Sequence, residues 1–424
     1  TKIAYIPTGS YRSLLGYMRE KDGENISDTD ILKVAQFMAK GEIAAFSSMT
    51  QSAPTVYRII AELRRINPEV YIIWGGIHAI IQPEDAIKFA DAVCTGEGEF
   101  AFKTFLELFK NKNDYTTAPS FWFNKDNKII KNRNLPLMTP KEMDELPPLL
   151  YDDKELIYQR GKGFKKINSN DFINFTGLSY NTVWSIGCPF KCTFCASHVA
   201  HGRDMRYNSI ERVKQDLVLM KEKYDITGVV VQDDHFMAGK SRPYEIVDAI
   251  GKFKLEMFFQ NALAMYALDI EFLKLLKRSG VHELVLPVES GSARVLKEEM
   301  RKPLKLNIIP KVVKNCREVG IYTDCNIIIG MPGETKQDIL ESREFLKTIY
   351  ADWFRIFVAT PIPGSEMHET VLHNNGYRVS PIKGNYKRAI IETKDMTPEY
   401  IQHMTYYMNI ELNLILITLF LILF

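Results

Sequence analysis

Residues 188–195 read CPFKCTFC, which places Cys188, Cys192 and Cys195 in the spacing C-x3-C-x2-C. Thiolates are the usual protein ligands of iron–sulfur clusters, so three this close together can hold three irons of a 4Fe–4S cluster and leave the fourth iron open. A zinc site would need a fourth ligand, which His198 or His201 could supply, and the spacing alone leaves that alternative open. A disulfide framework is not favoured, because the chain has 424 residues and only six cysteines.

Four segments downstream of the cysteines carry further information. They are VVVQDDHF at 229–236, LPVESGS at 286–292, CNIIIGMPGET at 325–335 and FVATPIPGSEMHE at 357–369. Together with Phe194, the aromatic residue before the third cysteine, these ordered segments strongly resemble the radical S-adenosylmethionine (SAM) superfamily. In that family SAM chelates the open iron through its amino and carboxylate groups, and a reduced cluster cleaves SAM to a 5′-deoxyadenosyl radical.

The resemblance implies SAM contacts at the ends of several strands. They are Asp233 and Asp234 for the amino group, Glu289 and Ser290 for the ribose or methionyl part, Ile327, Gly330 and Glu334 for the adenine, and Ala359 with Thr360 to complete that pocket. A carboxylate pairs well with an ammonium group and accepts hydrogen bonds from hydroxyls. The alternatives are a helix cap for either aspartate, a structural role for Glu289, and a surface position for Arg206, which is often Arg in the family.

The first 110 residues alternate strand and helix signals, which predicts a parallel sheet with helices on both faces. Ligands of such sheets bind beyond the carboxyl ends of the strands. The residues expected there are Ser47, Ser48, Gly75, Gly76, His78, Gly96, Glu97, Gly98 and Glu99. Any one of these glycines alone would be interpreted as a turn residue. The ordered segments FSSMTQSA, WGGIHAIIQPEDA and CTGEGEFAF nevertheless resemble the cobalamin-binding domain that precedes many radical SAM enzymes.

The first 110 residues depart from that family pattern in two ways. The D-x-H-x-x-G motif, whose histidine binds cobalt in one cobalamin family, is absent. We therefore expect no protein histidine on the cobalt, and we expect His78 to contact the corrin edge or make a structural hydrogen bond. The domain also starts late, with one strand and helix fewer than usual, so a relic domain without cobalamin is the alternative.

The expected fold class is α/β, with a Rossmann-like cobalamin-binding domain at 1–110 and a partial (β/α)6 radical SAM barrel at 179–380. Residues 111–178 are predicted to connect the two, and 381–424 to form a tail. The six predicted barrel strands are TVWSIG, GVVVQDD, MFFQNA, ELVLPVES, DCNIIIG and FRIFVATP, with helices near 209–223, 243–253, 270–279, 307–319 and 335–349. Active sites of parallel barrels lie at the carboxyl ends of the strands, where each of the four segments falls.

Composition constrains the partners and the compartment. The net charge of +2 gives no electrostatic case for nucleic acid, and cysteines in a ligand cluster indicate a reducing, cytoplasmic setting. No signal peptide is visible, and a first residue other than Met suggests a trimmed start. The apolar stretch at 412–424 is too short for a bilayer, so membrane association is not favoured. We expect a truncated segment or a reading-frame tail there, with a buried strand or helix as the alternative.

The function that the resemblance implies is cobalamin-dependent methylation of an unactivated carbon in a small-molecule or natural-product substrate. A reducing donor such as flavodoxin or ferredoxin is the expected partner. The alternatives are a cyclase, rearrangement or oxidative enzyme without methyl transfer, a non-catalytic cluster sensor, and an RNA-modifying relative, whose usual extra domains are not visible. Four residues could serve as proton or hydrogen donors, and the sequence does not choose among them: Tyr207, His235, Tyr266 and His282.

Overall fold

The computed structural model describes residues 3–6, 26–148, 155–168, 171, 173–174, 177–374, 377–379 and 388–423. The chain divides into two compact units. The first comprises 1–138 with 147–168, and the second comprises 139–146 with 169–424. The sequence-based boundaries at 110 and 178 stay predictions, and the first unit extends beyond 110 because a further hairpin joins its sheet.

The first unit contains a five-stranded sheet flanked by helices. The strands described in this unit are β1 (Ala4–Tyr5), β2 (Ile43–Ser47), β3 (Tyr71–Gly75), β4 (Ala92–Cys94), β5 (Phe121–Lys125), β6 (Lys128–Lys131), β7 (Leu156–Gln159) and β8 (Gly163–Lys166). Strands β2 to β6 form the five-stranded sheet. The α-helices of the unit are α1 (Asp28–Met38), α2 (Ala53–Ile66), α3 (Ile77–Ile81), α4 (Pro83–Ala86) and α5 (Gly98–Lys110). Strands β2, β3 and β4 are parallel, and the antiparallel hairpin β5–β6 extends the sheet from β4. The carboxyl ends of the three parallel strands therefore lie at one edge.

Local sequence explains most boundaries in the first unit. Helix α1 begins after Ser27, whose hydroxyl accepts a hydrogen bond from the Asp30 amide. The sequence pattern from residue 28 predicts Asp28 or Thr29 as the cap, but Ser27 takes that role because its backbone is extended. Strand β1 lies outside the five-stranded sheet, since it pairs with β7 in a separate sheet. The lysine- and asparagine-rich stretch at 124–134 includes the β5–β6 turn, where Asp126 and Asn127 have positive φ.

The strands described in the second unit are β9 (Ile173–Asn174), β10 (Gly177–Thr182), β11 (Ser185–Ile186), β12 (Arg206–Tyr207), β13 (Gly228–Val231), β14 (Glu256–Phe259), β15 (Glu283–Glu289), β16 (Tyr322–Ile329), β17 (Trp353–Val358), β18 (Arg378–Val379) and β19 (Ile391–Glu392). Six of these strands, β10 and β13 to β17, are parallel and follow one another in chain order. Strands β10, β13 and β14 form one parallel group and β15, β16 and β17 another, and a parallel bridge between Met257 and Val281 joins β14 to the segment before β15. This is the partial barrel that the sequence predicts.

Helices cover this second sheet. They are α6 (Pro140–Glu145), α7 (Ser197–His201), α8 (Ile210–Tyr224), α9 (Arg242–Lys252), α10 (Ile270–Arg278), α11 (Ile308–Val319), α12 (Lys336–Thr348), α13 (Glu366–His373) and α14 (Pro398–Leu423). A π-helix spans Val295–Glu299. The five helices predicted for the barrel correspond to α8 through α12, within a few residues at each end.

The first barrel strand lies earlier in the sequence than predicted. TVWSIG was expected to form it, but Ser179–Thr182 pairs with β13 in parallel, so the strand ends at Thr182. The side chain of Val183 is 45 % exposed, and Ser185–Ile186 pairs instead with Arg206–Tyr207. The apolar residues after Thr182 therefore belong to the loop that leads into the cysteines.

The beginning of α14 is an integral part of the second unit. The Asn409 side chain bonds both the amide and the carbonyl of Ile356, and Asn413 does the same for Phe354, with all four distances between 2.9 and 3.0 Å. These two amides satisfy backbone groups on the free edge of β17, which would otherwise be exposed. The stretch after residue 412 continues α14 to Leu423. In the part of the chain that the structure describes, no helix is both long and apolar enough to span a bilayer.

Candidate active site

The three clustered cysteines lie in the loop between β11 and α7, at the carboxyl end of the barrel. All three thiols are free and partly exposed. Burial raises the pKa of each, to about 11 for Cys192. The nearby Cys195 acts to raise the pKa of Cys188 and Cys192 further. Three thiols in one loop are the donor set that a 4Fe–4S cluster with one open iron requires. Metal coordination would favour the thiolate form against this burial.

Hydrogen bonds fix the cysteine loop from two sides. The Thr193 amide donates to the Met300 carbonyl at 3.1 Å, and the Thr193 hydroxyl donates to the Glu299 carbonyl at 2.5 Å. The Met367 amide donates to the Thr193 carbonyl at 2.8 Å. Gly187 enters the loop with φ of +97°, and a Cβ there would lie 2.3 Å from the Asp204 carbonyl oxygen, so this position needs glycine.

Asp233 and Asp234 use their carboxylates to hold this loop. Asp233 is buried and accepts from the Trp184 amide and the Ser185 hydroxyl, and burial raises its pKa to about 6. Burial also acts to raise the pKa of Asp234, but hydrogen bonds from His201, Gly187 and Ser197 lower it overall. Neither carboxylate caps a helix. Contact of the Asp233 carboxylate with the SAM amino group does not fit its burial, and we assign it a structural role.

The zinc alternative gains no ligand set from the structure. His201 Nδ1 lies 2.6 Å from Asp234 Oδ2, which ties the ring to the loop. Among the described residues, no group of three or more His, Cys, Asp or Glu side chains is placed to hold a single metal ion. Arg206 is buried and donates to the His201 carbonyl, so the alternative of a surface arginine is wrong.

A cavity of roughly 270 Å³ opens at the ends of β15, β16 and β17. It is lined by Phe194, Glu289, Asn326, Ile328, Phe357, Val358, Ala359, Thr360, Ile362 and Met367. The resemblance implied SAM contact for Glu289, Ala359 and Thr360, and it implied that Phe194, before the third cysteine, belongs to the cofactor site. The Ile327 side chain is fully buried in the core, since alternate residues of a strand face opposite sides. Its neighbours Asn326 and Ile328 line the cavity instead.

Asn326 is a site residue that the sequence reasoning missed. Its side-chain Oδ1 is buried in the cavity wall and has no hydrogen-bond partner among the described residues. An orphaned buried acceptor is costly, and a ligand with amino or hydroxyl donors would satisfy it. The cavity and this acceptor therefore fit SAM. The sequence signal was one polar residue in the run CNIII, which alternation places on the same face as Ile328.

Asn326→Leu should weaken SAM binding by about fivefold, the value of one hydrogen bond of roughly 1 kcal/mol. Leucine has a similar volume, so the cavity wall keeps its shape. The measurement is the dissociation constant of SAM by isothermal titration calorimetry on the reconstituted protein. The matched control is Asn413→Leu, which removes a distant amide that supports β17 and should lower Tm rather than SAM affinity. Unchanged affinity in Asn326→Leu would remove Asn326 from the site.

Glu289 and Ser290 have different environments. Glu289 follows a break in the β15–β16 register, has φ of +62°, and directs its carboxylate to Lys302 Nζ at 2.8 Å. Ser290 is fully buried, and its hydroxyl accepts from the Ser292 amide and lies 3.1 Å from the Ser342 hydroxyl. The positive φ of Glu289 is a strained backbone conformation, and such conformations are often found at functional sites. The geometry supports Glu289 as a ligand-facing residue and Ser290 as its structural support.

Gly330 and Glu334 form a closed turn after β16. The buried Glu334 carboxyl group accepts from the amides of Gly330 and Met331 at 2.5 and 3.1 Å. Gly330 has φ of +86°, and a Cβ there would lie 2.8 Å from Ile401 Cγ2 on α14. Burial raises the pKa of Glu334 to about 8, although the two amides lower it. Both residues shape the turn.

Glu334 should make the stability of the protein depend on pH. Its folded pKa of about 8 lies above the ordinary 4.5, so the neutral acid stabilises the fold at low pH and this contribution is lost as the pH rises toward 8. Glu334→Gln keeps the accepting oxygen and cannot ionise. We expect the Tm of the wild type, relative to Glu334→Gln, to fall by several degrees between about pH 5 and about pH 8, measured by scanning calorimetry. A constant difference would contradict the raised pKa.

The residues expected to bind cobalamin surround the strand ends of the first unit. Gly76 has φ of +81°, and a Cβ there would meet Ser47 Oγ and Ser48 N at 2.7 Å, so Gly76 allows its own chain to pack closely. The Ser48 hydroxyl accepts from Trp74 Nε1 at 3.0 Å. By contrast, a Cβ on Gly98 meets nothing within 4 Å.

The remaining residues of this group are placed as follows. Ser47 is exposed, Gly75 would bring a Cβ into ordinary contact with Cys94, and Gly96 packs closely against Ser120. Glu97 accepts from the Met138 amide at 2.7 Å, and Glu99 is exposed in the first turn of α5. Open space at Gly98 fits a ligand that approaches the backbone at this edge.

His78 is a core residue. It is 2 % exposed, its ring lies 5.0 Å from the Trp74 ring, and its Nε2 lies 3.3 Å from the Tyr57 hydroxyl. Burial lowers its pKa despite the nearby Asp85. Of the two expected roles, the structural hydrogen bond agrees with this position and the contact with the corrin edge does not.

Two of the four candidate donors lie together near the cysteine loop. His235 Nε2 is 3.3 Å from the Tyr266 hydroxyl, and the Phe190 ring packs edge-on against both rings. His282 pairs with Glu256, and Tyr207 stacks on Arg242. The structure thus brings His235 and Tyr266 together beside the cysteine loop and engages the other two with different partners.

Comparison with known families now identifies the chain. Residues 182–346 match the radical SAM superfamily, and residues 14–106 match the B12-binding domain. The cysteine loop, the cavity and the partial barrel define a radical SAM enzyme. The chain carries a radical SAM domain at 182–346 and a B12-binding domain at 14–106, so its cofactors are a 4Fe–4S cluster, SAM and cobalamin.

Curated relatives agree with this identification. An uncharacterised methyltransferase of Pyrococcus horikoshii is 26 % identical over 83 % of this chain and 74 % of its own length. Cytidylyl-2-hydroxyethylphosphonate methyltransferase of Streptomyces wedmorensis is 27 % identical over 81 % of this chain and 68 % of its own. An anaerobic magnesium-protoporphyrin IX monomethyl ester cyclase of Synechocystis is 20 % identical over 88 % of this chain and 72 % of its own.

Solved structures show the same fold. The radical SAM methyltransferase TsrM of Kitasatospora setae has a TM-score of 0.65 and 16 % identity, and the match covers 87 % of this chain and 70 % of TsrM. The cobalamin-dependent radical SAM enzyme OxsB has a TM-score of 0.58 and 16 % identity, over 77 % of this chain and 46 % of its own.

Proposed function

We propose that this enzyme methylates an unactivated carbon of a small molecule in a cobalamin-dependent reaction. The observation that carries the proposal is the presence in one chain of a B12-binding domain and a radical SAM barrel whose cysteine loop adjoins an apolar cavity. Relatives named as methyltransferases support it over most of the chain. When bound, the cluster and SAM supply a 5′-deoxyadenosyl radical, and cobalamin carries the methyl group.

The residues of the chain would hold and shield these groups. Cys188, Cys192 and Cys195 would bind three irons. Phe194 is the residue before the third cysteine. Its side chain lines the cavity with Ile328 and would exclude water from a reactive radical. The Glu289 carboxylate would orient SAM by accepting hydrogen bonds from the hydroxyl or amino groups of SAM.

The experiment that tests the proposal is product analysis with the anaerobically reconstituted enzyme, SAM and a chemical reductant. Methyl transfer requires S-adenosylhomocysteine and 5′-deoxyadenosine together, in similar amounts. Formation of 5′-deoxyadenosine alone, with substrate present, would contradict methylation and favour a cyclase, rearrangement or oxidative reaction. The similarity to the magnesium-protoporphyrin cyclase makes that reaction class the second candidate.

The proposed setting is a reducing one. All six cysteines are free in the structure, and three belong to the oxygen-sensitive site. We propose a cytoplasmic enzyme that receives electrons from a small carrier such as flavodoxin or ferredoxin. The measurement is the absorbance of the cluster during reduction. Rapid reduction by either carrier would support this partner, and reduction by dithionite alone would count against it.

A further inference from the structure

A mostly buried ion pair lies beside the cysteine loop. Lys302 Nζ is 2.8 Å from Glu289 Oε1, and the two side chains are only 20 % and 10 % exposed. Burying two charges is costly even when they are paired, so such a pair is poor evidence of a purely stabilising role. A functional explanation is therefore worth testing.

The π-helix Val295–Glu299 carries Lys302 to this place. The Lys302 amide bonds the Leu296 carbonyl at 2.8 Å, while the carbonyls of Glu299 and Met300 bond Thr193 in the cysteine loop. A single turn of π-helix inside a protein is often found at functional sites. Backbone hydrogen bonds thus fix residue 302 close to the cysteines.

Both members of the pair lie next to the cysteine loop. Lys302 follows Glu299 and Met300, whose carbonyls accept hydrogen bonds from Thr193 in that loop. Glu289 lines the same cavity as Phe194, the residue before the third cysteine. A cation and an anion so placed act on the cluster position with opposite signs.

We propose that Lys302 and Glu289 together set the reduction potential of the cluster. Reduction adds one negative charge, which a nearby cation stabilises and a nearby anion destabilises, and a low local dielectric strengthens both effects. Lys302 raises the potential and Glu289 lowers it. The inference concerns the cluster and is independent of whether the enzyme transfers a methyl group.

The test is a redox titration of the reconstituted enzyme without SAM, followed by electron paramagnetic resonance. Lys302→Met should shift the midpoint potential to more negative values, and Glu289→Gln should shift it to more positive values. Arg301→Met is the matched control, because Arg301 is the adjacent cation, is 50 % exposed and pairs with Glu366. The midpoint potential of the Arg301→Met variant should equal that of the wild type. Lys302→Arg keeps the charge and should remain close to the wild type.

Opposite shifts in the first two variants, with iron content retained, support the proposal. Shifts in the same direction, or no shift in either, overturn it. Loss of iron from Lys302→Met or Glu289→Gln also overturns it, because the pair would then have a structural role. An equal shift in Arg301→Met overturns it as well, since the effect would belong to the general charge of the segment.

Discussion

Replacing Cys188, Cys192 and Cys195 together by alanine is expected to abolish the iron–sulfur absorbance and reduce the iron content to background. The three thiols are the cysteines of the cluster loop, and the hydrogen bonds of Thr193 place that loop beside the segment that carries Lys302. Thiolate is the ligand that holds the irons, so its complete removal leaves nothing to bind the cluster. SAM cleavage should be lost with it. The measurements are iron content and the visible spectrum after anaerobic reconstitution.

Cys316→Ala and Cys325→Ala provide matched controls in the same unit. Both thiols are fully buried in the barrel core, and burial raises the pKa of each. No described cysteine of the cluster loop acts on either of them. These variants should lower stability modestly and retain iron. Far-ultraviolet circular dichroism of the triple variant checks that the fold persists. Full iron content in the triple variant would sink the cluster assignment.

Much of the fold follows from sequence periodicity and turn residues. The parallel strands β2, β3 and β4 and the helices α8 through α12 were predictable because apolar runs alternate with amphipathic segments. The first barrel strand was misplaced because Val183, Trp184 and Ile186 look like strand residues. Pairing with β13 decides the register, and local sequence does not contain that information.

The candidate site was predictable to a lesser extent. Phe194, Glu289 and Ala359 do line one cavity, because strand ends of a parallel barrel meet at one edge. The partners of each carboxylate could not be predicted. Asp233 bonds Trp184 and Ser185, residues 49 and 48 positions away, so its structural role depends on tertiary contacts. Lys302 was missed for the same reason, since a lone lysine has no sequence signature.

The glycines of the first unit show how structure separates similar residues. In sequence, Gly76 and Gly98 both read as strand-end glycines near a ligand. Gly76 is required by its own chain, because any side chain would collide with the backbone of Ser48. Replacing it would disturb the turn whether or not a ligand binds there. Gly98 has open space, so only a ligand can account for an effect of substitution at that position.

Gly98→Trp should weaken cobalamin binding by at least about a hundredfold, because an indole would fill the open space that the backbone leaves at the strand ends. The fold should tolerate the change, since Gly98 begins α5, has no neighbour within 4 Å for a Cβ and needs no positive φ. A non-glycine residue is also more favourable in a helix. The measurement is titration with hydroxocobalamin, followed by absorbance under anaerobic conditions.

Glu107→Trp is the matched control, because it places the same indole on an exposed position of the same helix, away from the strand ends. It should bind cobalamin like the wild type. His78→Ala should reduce stability by removing a buried ring from the Trp74 and Tyr57 contacts, yet leave the electron-spin spectrum of the bound cobalt unchanged. Loss of a nitrogen signal in His78→Ala would mean that a histidine binds the cobalt after all. Equal affinity in Gly98→Trp and Glu107→Trp would place cobalamin elsewhere, because a ligand at this edge cannot share its space with an indole.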